Sequence, residues 1–247
     1  MQLSLIGIGT GNPNHVTSEG IKVLSDADLI LIPNKGGNKK ELVDLRMQVC
    51  QLLLNSNIPP LVEFDIPKRL DKDDYGQSVN DWHLQISSVW VQTIKKFEGK
   101  KDKIVLMIWG DPCLYDSSIR IAKTFLADQD IMVVPGITAI QALAAAHKIT
   151  LTEIGEPLVI STGRILRSEG FPTCVNSAIF MLDGECSFKY LNTHLYDIYW
   201  GAYLGMEQEI LLSGQLSELS ANIISTRENA RKKYGWVMDT YLLRKRA

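Results

Sequence analysis

The chain is 247 residues long, 45% hydrophobic and 22% charged, which is enough to bury one large core or two modest ones and excludes a disordered chain. A formal net charge of -2, with basic residues dispersed apart from pairs such as Lys39-Lys40 and Lys100-Lys101, excludes the electrostatic footprint of a nucleic-acid binder. No apolar run approaches membrane-spanning length, no basic leader precedes Gln2-Leu3-Ser4-Leu5-Ile6, and Cys50, Cys113, Cys174 and Cys186 are too widely spaced for a disulfide frame, so a cytoplasmic protein with reduced core thiols and no membrane partner is expected.

Gln2 to Ile8 reads as a strand running into Gly7-Ile8-Gly9-Thr10-Gly11-Asn12-Pro13, after which Val16, Gly20, Leu24 and Ala27 recur at helical spacing. A second buried strand spans Ala27 to Ile32. Leu42, Leu45, Val49, Leu52 and Leu53 predict a helix, followed by a strand at Leu61 to Phe64. Val79, Trp82, Ile86, Val89, Trp90, Ile94 and Phe97 advance in three- and four-residue steps and mark one face of a long amphipathic helix, a stripe that belongs in the core. Lys103 to Ile108 is a fourth strand, and Ser117 or Ser118 can cap the next helix, with Ile121, Ala122 and Phe125 facing inward. Ile131 to Val134 is the fifth. Strands alternating with helices predict a parallel α/β sheet over residues 1–136.

Residues 137–247 open with a helix from Ile137 to Ala146. Strands then follow near Leu158 to Ser161, Ala178 to Leu182, Ile198 to Tyr203, Glu209 to Leu212 and Trp236 to Leu243, with fewer helices between them, which predicts a mixed α/β second domain. No Pro/Gly-rich linker separates the halves, so a broad shared cleft is expected.

Glycines at 7, 9 and 11 suggest a dinucleotide loop, but the third glycine of that fingerprint would fall at Asn12, and Pro33-Asn34 stands where an acidic residue should close the second strand. Close approach of a ligand to the backbone and a tight strand-to-helix turn both fit this loop. In Trp109-Gly110-Asp111-Pro112 a glycine, a carboxylate and a helix-incompatible proline follow a strand at the ligand edge of an α/β sheet. Asp111 could equally hydrogen-bond its own backbone in a turn. Val134-Pro135-Gly136-Ile137-Thr138-Ala139 supplies a second loop at the next strand end, where a helix start can hold polar ligand atoms. His15, His83, His147 and His194 show no zinc-ligand spacing, so no metal is expected and each reads as a surface or core histidine. Neither a G-x-S-x-G elbow nor a P-loop is present.

Taken together, the Gly-x-Gly-x-Gly start, the Gly-Asp-Pro-x-x-Tyr loop and the Val-Pro-Gly-Ile-Thr-Ala segment resemble the tetrapyrrole (corrin and sirohaem) methylases, in order and spacing along the whole chain. Val43-Asp44-Leu45-Arg46, Trp109 to Ser117, Tyr199 to Gly205 and Gly235 to Arg244 are similar to the branch that methylates precorrin-5 at carbon 1 and releases the carbon-20 acetyl group as acetate. The resemblance implies a two-domain α/β fold with an N-terminal parallel sheet, a C-terminal mixed sheet and the active site in the cleft between them, usually as a homodimer. It implies S-adenosylmethionine as methyl donor, S-adenosylhomocysteine as product and a tetrapyrrole substrate.

Carried over by position, the implied donor contacts are Thr10, where relatives often have proline, then Trp109, Gly110, Asp111, Leu114 and Tyr115, then Thr138 and Ala139. Leu182, where many relatives have methionine, and Ala202 and Tyr203, against the adenine or ribose, complete the set. No catalytic base follows from the residues; Tyr115, Asp116, Asp183 and Glu185 border the motif loops. Lys35, Arg46, Arg120 and Arg164 are candidate partners for substrate carboxylates. Methylation at another macrocycle position and a non-catalytic tetrapyrrole carrier are the competing readings, and a nicotinamide oxidoreductase is disfavoured by the glycine spacing.

Overall fold

A computed structural model describes residues 1–34, 40–70 and 75–246, so Lys35 and Lys39 lie outside the described residues. Two compact units divide the chain, Met1–Thr138 and Ala139–Ala247. The first runs β1 (Gln2–Gly7), α1 (Ser18–Ser25), β2 (Leu29–Asn34), α2 (Lys40–Leu54), β3 (Leu61–Asp65), α3 (Tyr75–Lys96), β4 (Lys103–Ile108), α4 (Ser118–Ala122) and β5 (Ile131–Val134). Its five strands are all parallel, in the order β3-β2-β4-β1-β5.

Near-continuous apolar runs form these strands because both faces of the sheet are covered. Leu3 and Leu5 of β1, Leu29 and Leu31 of β2, and Ile104, Leu106 and Ile108 of β4 pack on one side against Ile86, Trp90 and Ile94 of α3 and Ile121 and Ala122 of α4. The alternate residues, Ile6, Ile30, Ile32, Val105 and Met107, face Leu24 of α1 and Val43, Val49 and Cys50 of α2 on the other side. The α3 stripe read from the sequence is this contact. Neither serine side chain caps α4 as expected: Ser117 makes no capping bond, and Asp116 Oδ1 accepts the Ser118 N–H at 2.7 Å instead.

The second unit comprises α5 (Ala139–His147), β6 (Leu158–Thr162), α6 (Gly163–Glu169), β7 (Ser177–Met181), β8 (Tyr196–Ala202), β9 (Ile210–Gln215), α7 (Leu216–Tyr234) and β10 (Asp239–Lys245). Its sheet order is β6-β7-β10-β8-β9, with β6 and β7 parallel and the remaining pairs antiparallel. The sequence reading missed α6 and the long α7. Along α7 the buried residues are Leu216, Ile223 and Ala230, one every two turns, so its apolar stripe is too narrow to stand out. The cysteine expectation also needs correction: all four are free, but only Cys50 and Cys186 are buried, while Cys113 and Cys174 are exposed.

Two buried carboxylates tie this unit together. Asp183 accepts the Tyr241 hydroxyl at 2.6 Å, the Ser187 N–H at 2.6 Å and the Ser187 hydroxyl at 2.9 Å. A Cβ on Gly163 would fall 2.2 Å from Asp183 Cγ, so only glycine lets α6 start against this carboxylate. Asp239, 5% exposed, accepts from Arg227 Nε at 2.9 Å and Trp200 Nε1 at 3.0 Å. Burial holds the Asp239 carboxyl above the ordinary carboxylate range, with Arg227 and Trp200 pulling it part of the way back. Removing Arg227 would strand a buried charge. Arg227→Met is expected to destabilise the protein by about 3–5 kcal/mol at neutral pH in denaturant titrations. Because the folded form binds the Asp239 proton more readily than the unfolded chain, this group favours folding as pH falls, and the deficit of the variant should shrink as pH falls from neutrality toward the raised Asp239 pKa, above the ordinary carboxylate range. A deficit independent of pH would contradict the buried-charge account.

Candidate functional site

The connection after β1 crosses the α1 face to reach β2, whereas the connection after β4 crosses the α4 face to reach β5. Neighbouring parallel strands whose loops leave toward opposite faces open a crevice at their carboxyl ends, where open α/β sheets bind ligands. Glycine backbone forms its floor. Gly9 N–H donates to Gly110 O at 3.2 Å and Gly110 N–H to Gly9 O at 2.7 Å, a two-bond bridge across the crevice. A Cβ on Gly7 would lie 2.5 Å from Gly136 N and 2.7 Å from Gly110 O, and one on Gly136 2.3 Å from Gly110 O. The ends of β1, β4 and β5 therefore touch backbone to backbone. On Gly110 itself, at φ +71°, a Cβ would meet nothing within 4 Å, so this position faces open space.

Asp111 fastens the two loops that follow β4 and β5. Its Oδ1 accepts the Cys113 N–H at 2.7 Å, the local turn that the sequence left open, and its Oδ2 accepts the Gly136 N–H at 2.9 Å. Both carboxylate oxygens thus serve the loop backbone. Thr10 is buried, with Oγ1 2.9 Å from His15 Nδ1, and Thr138 is buried as well. Trp109 and Leu114 are half-buried; Tyr115 is 45% exposed and adopts φ 51°, the left-handed region that bulky side chains rarely enter. Burial pushes the Tyr115 phenol above its ordinary value, so it stays protonated at neutral pH and can donate a hydrogen bond but not act as a base.

Ala139 opens α5, and the other sequence-assigned residues of the second unit gather at one edge of its sheet. Leu182 directly follows β7, Ala202 ends β8 opposite Asp239 of β10, and Tyr203 comes next. Since β7 and β8 both run antiparallel to β10, their carboxyl ends share this edge. Leu182 at φ 54° and Tyr203 at φ 52° are also left-handed, so three of the six non-glycine residues with positive φ among the described residues belong to the implied donor set. Strained backbone of this kind clusters at functional sites. Leu182 is 67% exposed. Ala202 and Tyr203 are not: Tyr203 is 1% exposed, stacked edge-on against Trp236 and Tyr234, with its hydroxyl donating to the Trp236 carbonyl.

Several charged candidates have other employment. Arg46 is buried, its Nε donating to Met107 O at 3.2 Å and its Nη1 to Leu42 O at 3.0 Å, and burial lowers its pKa to about 10; it pins α2 to the end of β4. Asp183 is the structural hub described above, and Glu185 pairs with Arg167. Arg120 on α4 and Arg164 on α6 are exposed. His83 is the residue the sequence undervalued: it is 7% exposed, and its Nε2 has no hydrogen-bond partner. Spacing held no sign of this, because its neighbours come from α4 and the loop before it. A groove of about 300 Å³ between α1 and the starts of β1 and β4, lined by Gln2, Ser4, Lys22 and Lys103, lies toward the opposite end of the strands from the glycine loops.

A family model described as Tetrapyrrole (Corrin/Porphyrin) Methylases matches residues 2–220. The chain belongs to this family. Among tetrapyrrole methylases it is 42% identical to a precorrin-6A synthase [deacetylating] from Sinorhizobium sp, over 100% of this chain and 96% of the relative. A crystal structure of a cobalamin synthesis related protein, CobF, from Corynebacterium diphtheriae has 32% identity and a TM-score of 0.81, covering 99% of this chain and 98% of that one. The fold is also that of a uroporphyrin-III C-methyl transferase from Thermus thermophilus complexed with S-adenyl homocysteine, at 15% identity and a TM-score of 0.58, covering 98% and 97% of the two chains.

The geometry of this tetrapyrrole methylase assigns Asp111 a measurable task. In Asp111→Asn one of the two backbone N–H groups would face an amide NH2, and the variant is expected to lose about 1–3 kcal/mol of stability. Amide exchange at Gly136 should accelerate at least tenfold more than at β1 core amides. Equal acceleration at both would show that Asp111 does not hold the Gly136 loop.

Proposed function

We propose that this chain is an S-adenosylmethionine-dependent C-methyltransferase of cobalamin biosynthesis that methylates precorrin-5 at carbon 1 and releases the acetyl group as acetate, giving precorrin-6A. The full-length identity of 42% to the Sinorhizobium precorrin-6A synthase [deacetylating] carries this reading. Its donor site comprises Thr10, Trp109, Gly110, Asp111, Leu114, Tyr115, Thr138, Ala139, Leu182, Ala202 and Tyr203. Supporting this set are the crevice between β1 and β4, the open space beside Gly110 and the left-handed backbone at Tyr115, Leu182 and Tyr203. The enzyme acts as a cytoplasmic homodimer on a small-molecule tetrapyrrole; the family resemblance supports the dimer, and four free thiols suit a reducing compartment.

Bound at this site, the sulfonium of the donor supplies an activated methyl group. The chain contributes position. A macrocycle carbon must be held in line with the sulfur–methyl bond, and orientation of this kind is worth effective molarities of roughly 10⁵ M or more. Gly110 admits a ligand against backbone where any side chain would intrude, while the Asp111 clasp keeps the loops after β4 and β5 from drifting apart. Loss of the acetyl group requires attack by water on its carbonyl, with the released electron pair taken up by the macrocycle and the proton of water passed to a nearby acceptor. Asp183 is clamped by Tyr241 and Ser187, and Glu185 pairs with Arg167.

Incubation of the purified protein with precorrin-5 and methyl-labelled donor is expected to yield labelled product and acetate in equal amounts. Methylation without acetate would move the enzyme to another macrocycle position, and no binding of S-adenosylhomocysteine in calorimetry would favour a carrier. Gly110→Ala tests the placement. Its methyl group projects into open space from a left-handed residue, so about 1 kcal/mol of stability should be lost while the dissociation constant for S-adenosylhomocysteine rises at least tenfold. An unchanged constant would remove the donor from this loop.

A further inference from the structure

The segment that follows β1 carries a glycine on each side of Thr10, Gly9 at φ 70° and Gly11 at φ 108°, both in the region that glycine enters freely. Local sterics therefore fix neither neighbour of Thr10, and the loop has to be held by contacts from further away. Gly9 has one, the two-bond bridge to Gly110. Thr10 has another: its Oγ1 lies 2.9 Å from Nδ1 of His15, five residues along the chain.

His15 is anchored from both sides before it reaches back. It closes a single 3-10 turn, Pro13–His15, in which Asn12 Oδ1 accepts the Asn14 N–H at 2.9 Å and the Asn12 carbonyl accepts the His15 N–H at 2.9 Å. Immediately after it Val16 is buried and Thr17 caps α1, its Oγ1 accepting the Gly20 N–H at 3.1 Å. On another side α2 packs against the turn. From this fixed base the side chain folds over the loop so closely that a Cβ on Gly9 would fall 2.4 Å from His15 Cβ. One half-buried side chain thus covers Gly9 and bonds Thr10.

We propose that His15 is a positioning residue for the methyl donor, acting through Thr10: its imidazole locks the loop between β1 and α1 into the shape that receives the donor before the donor arrives. The proposal rests on the reading that places the donor at Thr10 and Gly110. A loop ordered in advance spares the ligand the cost of ordering it, so the gain appears as affinity for the donor. The tetrapyrrole gains nothing from this bond directly, and His15 forms or breaks no covalent bond.

Calorimetry of the full chain with S-adenosylhomocysteine, paired with amide exchange, tests this. His15→Leu keeps a branched side chain over Gly9 and removes the ring nitrogen; Thr10→Val keeps the shape of threonine and removes the hydroxyl. Each should raise the dissociation constant by about fivefold or more, the worth of one hydrogen bond, and the double variant should bind no more weakly than the poorer single one, since both remove the same bond. His15→Asn, which can place an amide atom where Nδ1 stands, should recover most of the affinity, whereas a packing role would favour Leu over Asn. Without ligand, exchange of the Gly9 amide, whose N–H donates to Gly110 O, should accelerate about tenfold in His15→Leu relative to the β1 core amides. In turnover, KM for the donor should rise and KM for the tetrapyrrole should stay. An unchanged dissociation constant in folded His15→Leu and Thr10→Val, additive effects in the double variant, or His15→Asn no better than His15→Leu would overturn the proposal while leaving the donor site in place. Wild-type protein that binds no S-adenosylhomocysteine would overturn the donor-site reading itself, and the proposal with it.

Discussion

The ends of three strands meet in the first unit with no side chain between them. Gly7, Gly110 and Gly136 lie so close that a single added carbon on Gly7 or Gly136 would overlap the next strand's backbone. From this contact the rest of the ligand edge follows. It brings the loops after β4 and β5 near enough for Asp111 to reach the Gly136 amide, and it leaves Gly9 and Gly110 to bridge the segments that follow β1 and β4. The glycine pattern is thereby explained without a dinucleotide. In that other motif the third glycine lets a helix approach a strand, whereas here the glycines let one strand end approach another.

The second unit solves a related problem with charge. Leu182 and Tyr203 both leave their strands in the left-handed region, at a cost of about 1–3 kcal/mol each. Conformations of that kind persist only where the surroundings over-determine them. Asp183, immediately after Leu182, is clamped by Tyr241 and Ser187; Tyr203 is held by stacking on Trp236 and by its N–H donating to Met238 O at 3.0 Å. Asp239 and Arg227 secure the strand that lies between β7 and β8. These buried polar groups maintain a strained edge, and one result is an apolar side chain, Leu182, standing two-thirds exposed.

Sequence periodicity revealed the first unit almost completely, because a parallel sheet covered on both faces needs apolar runs that few other structures use. The second unit was less legible. Its strands showed as short apolar runs, but α7 hides behind a polar surface with one buried residue every seven, and α6 begins at Gly163 for a reason located twenty residues further on, at Asp183. Among site residues, Gly110 and Asp111 were legible as a loop at a strand end, yet which partner the carboxylate takes depends on register between strands. The burial of Arg46 and Tyr203 was equally hidden, since arginine and tyrosine at a motif boundary suit either a ligand or a core. His83 was read as one of four scattered histidines. Its burial with Nε2 unpartnered arises only when α3 packs into the core beside α4.

Recognition in this molecule is divided between two kinds of atom. Around β1, β4 and β5 the accessible features are glycine backbone and left-handed loop residues, whose geometry is dictated by the sheet and tolerates little side-chain variation. Along α4 the available group is a side chain, the exposed Arg120 guanidinium, carried on a helix that can be altered without moving the glycine contact. A scaffold built this way can keep one loop edge for a shared ligand while exchanging helix side chains to suit different partners. The constraint acts in one direction only. Moving Gly7 or Gly136 would disturb every element at the edge, whereas replacing the exposed Arg120 disturbs only the charge it presents.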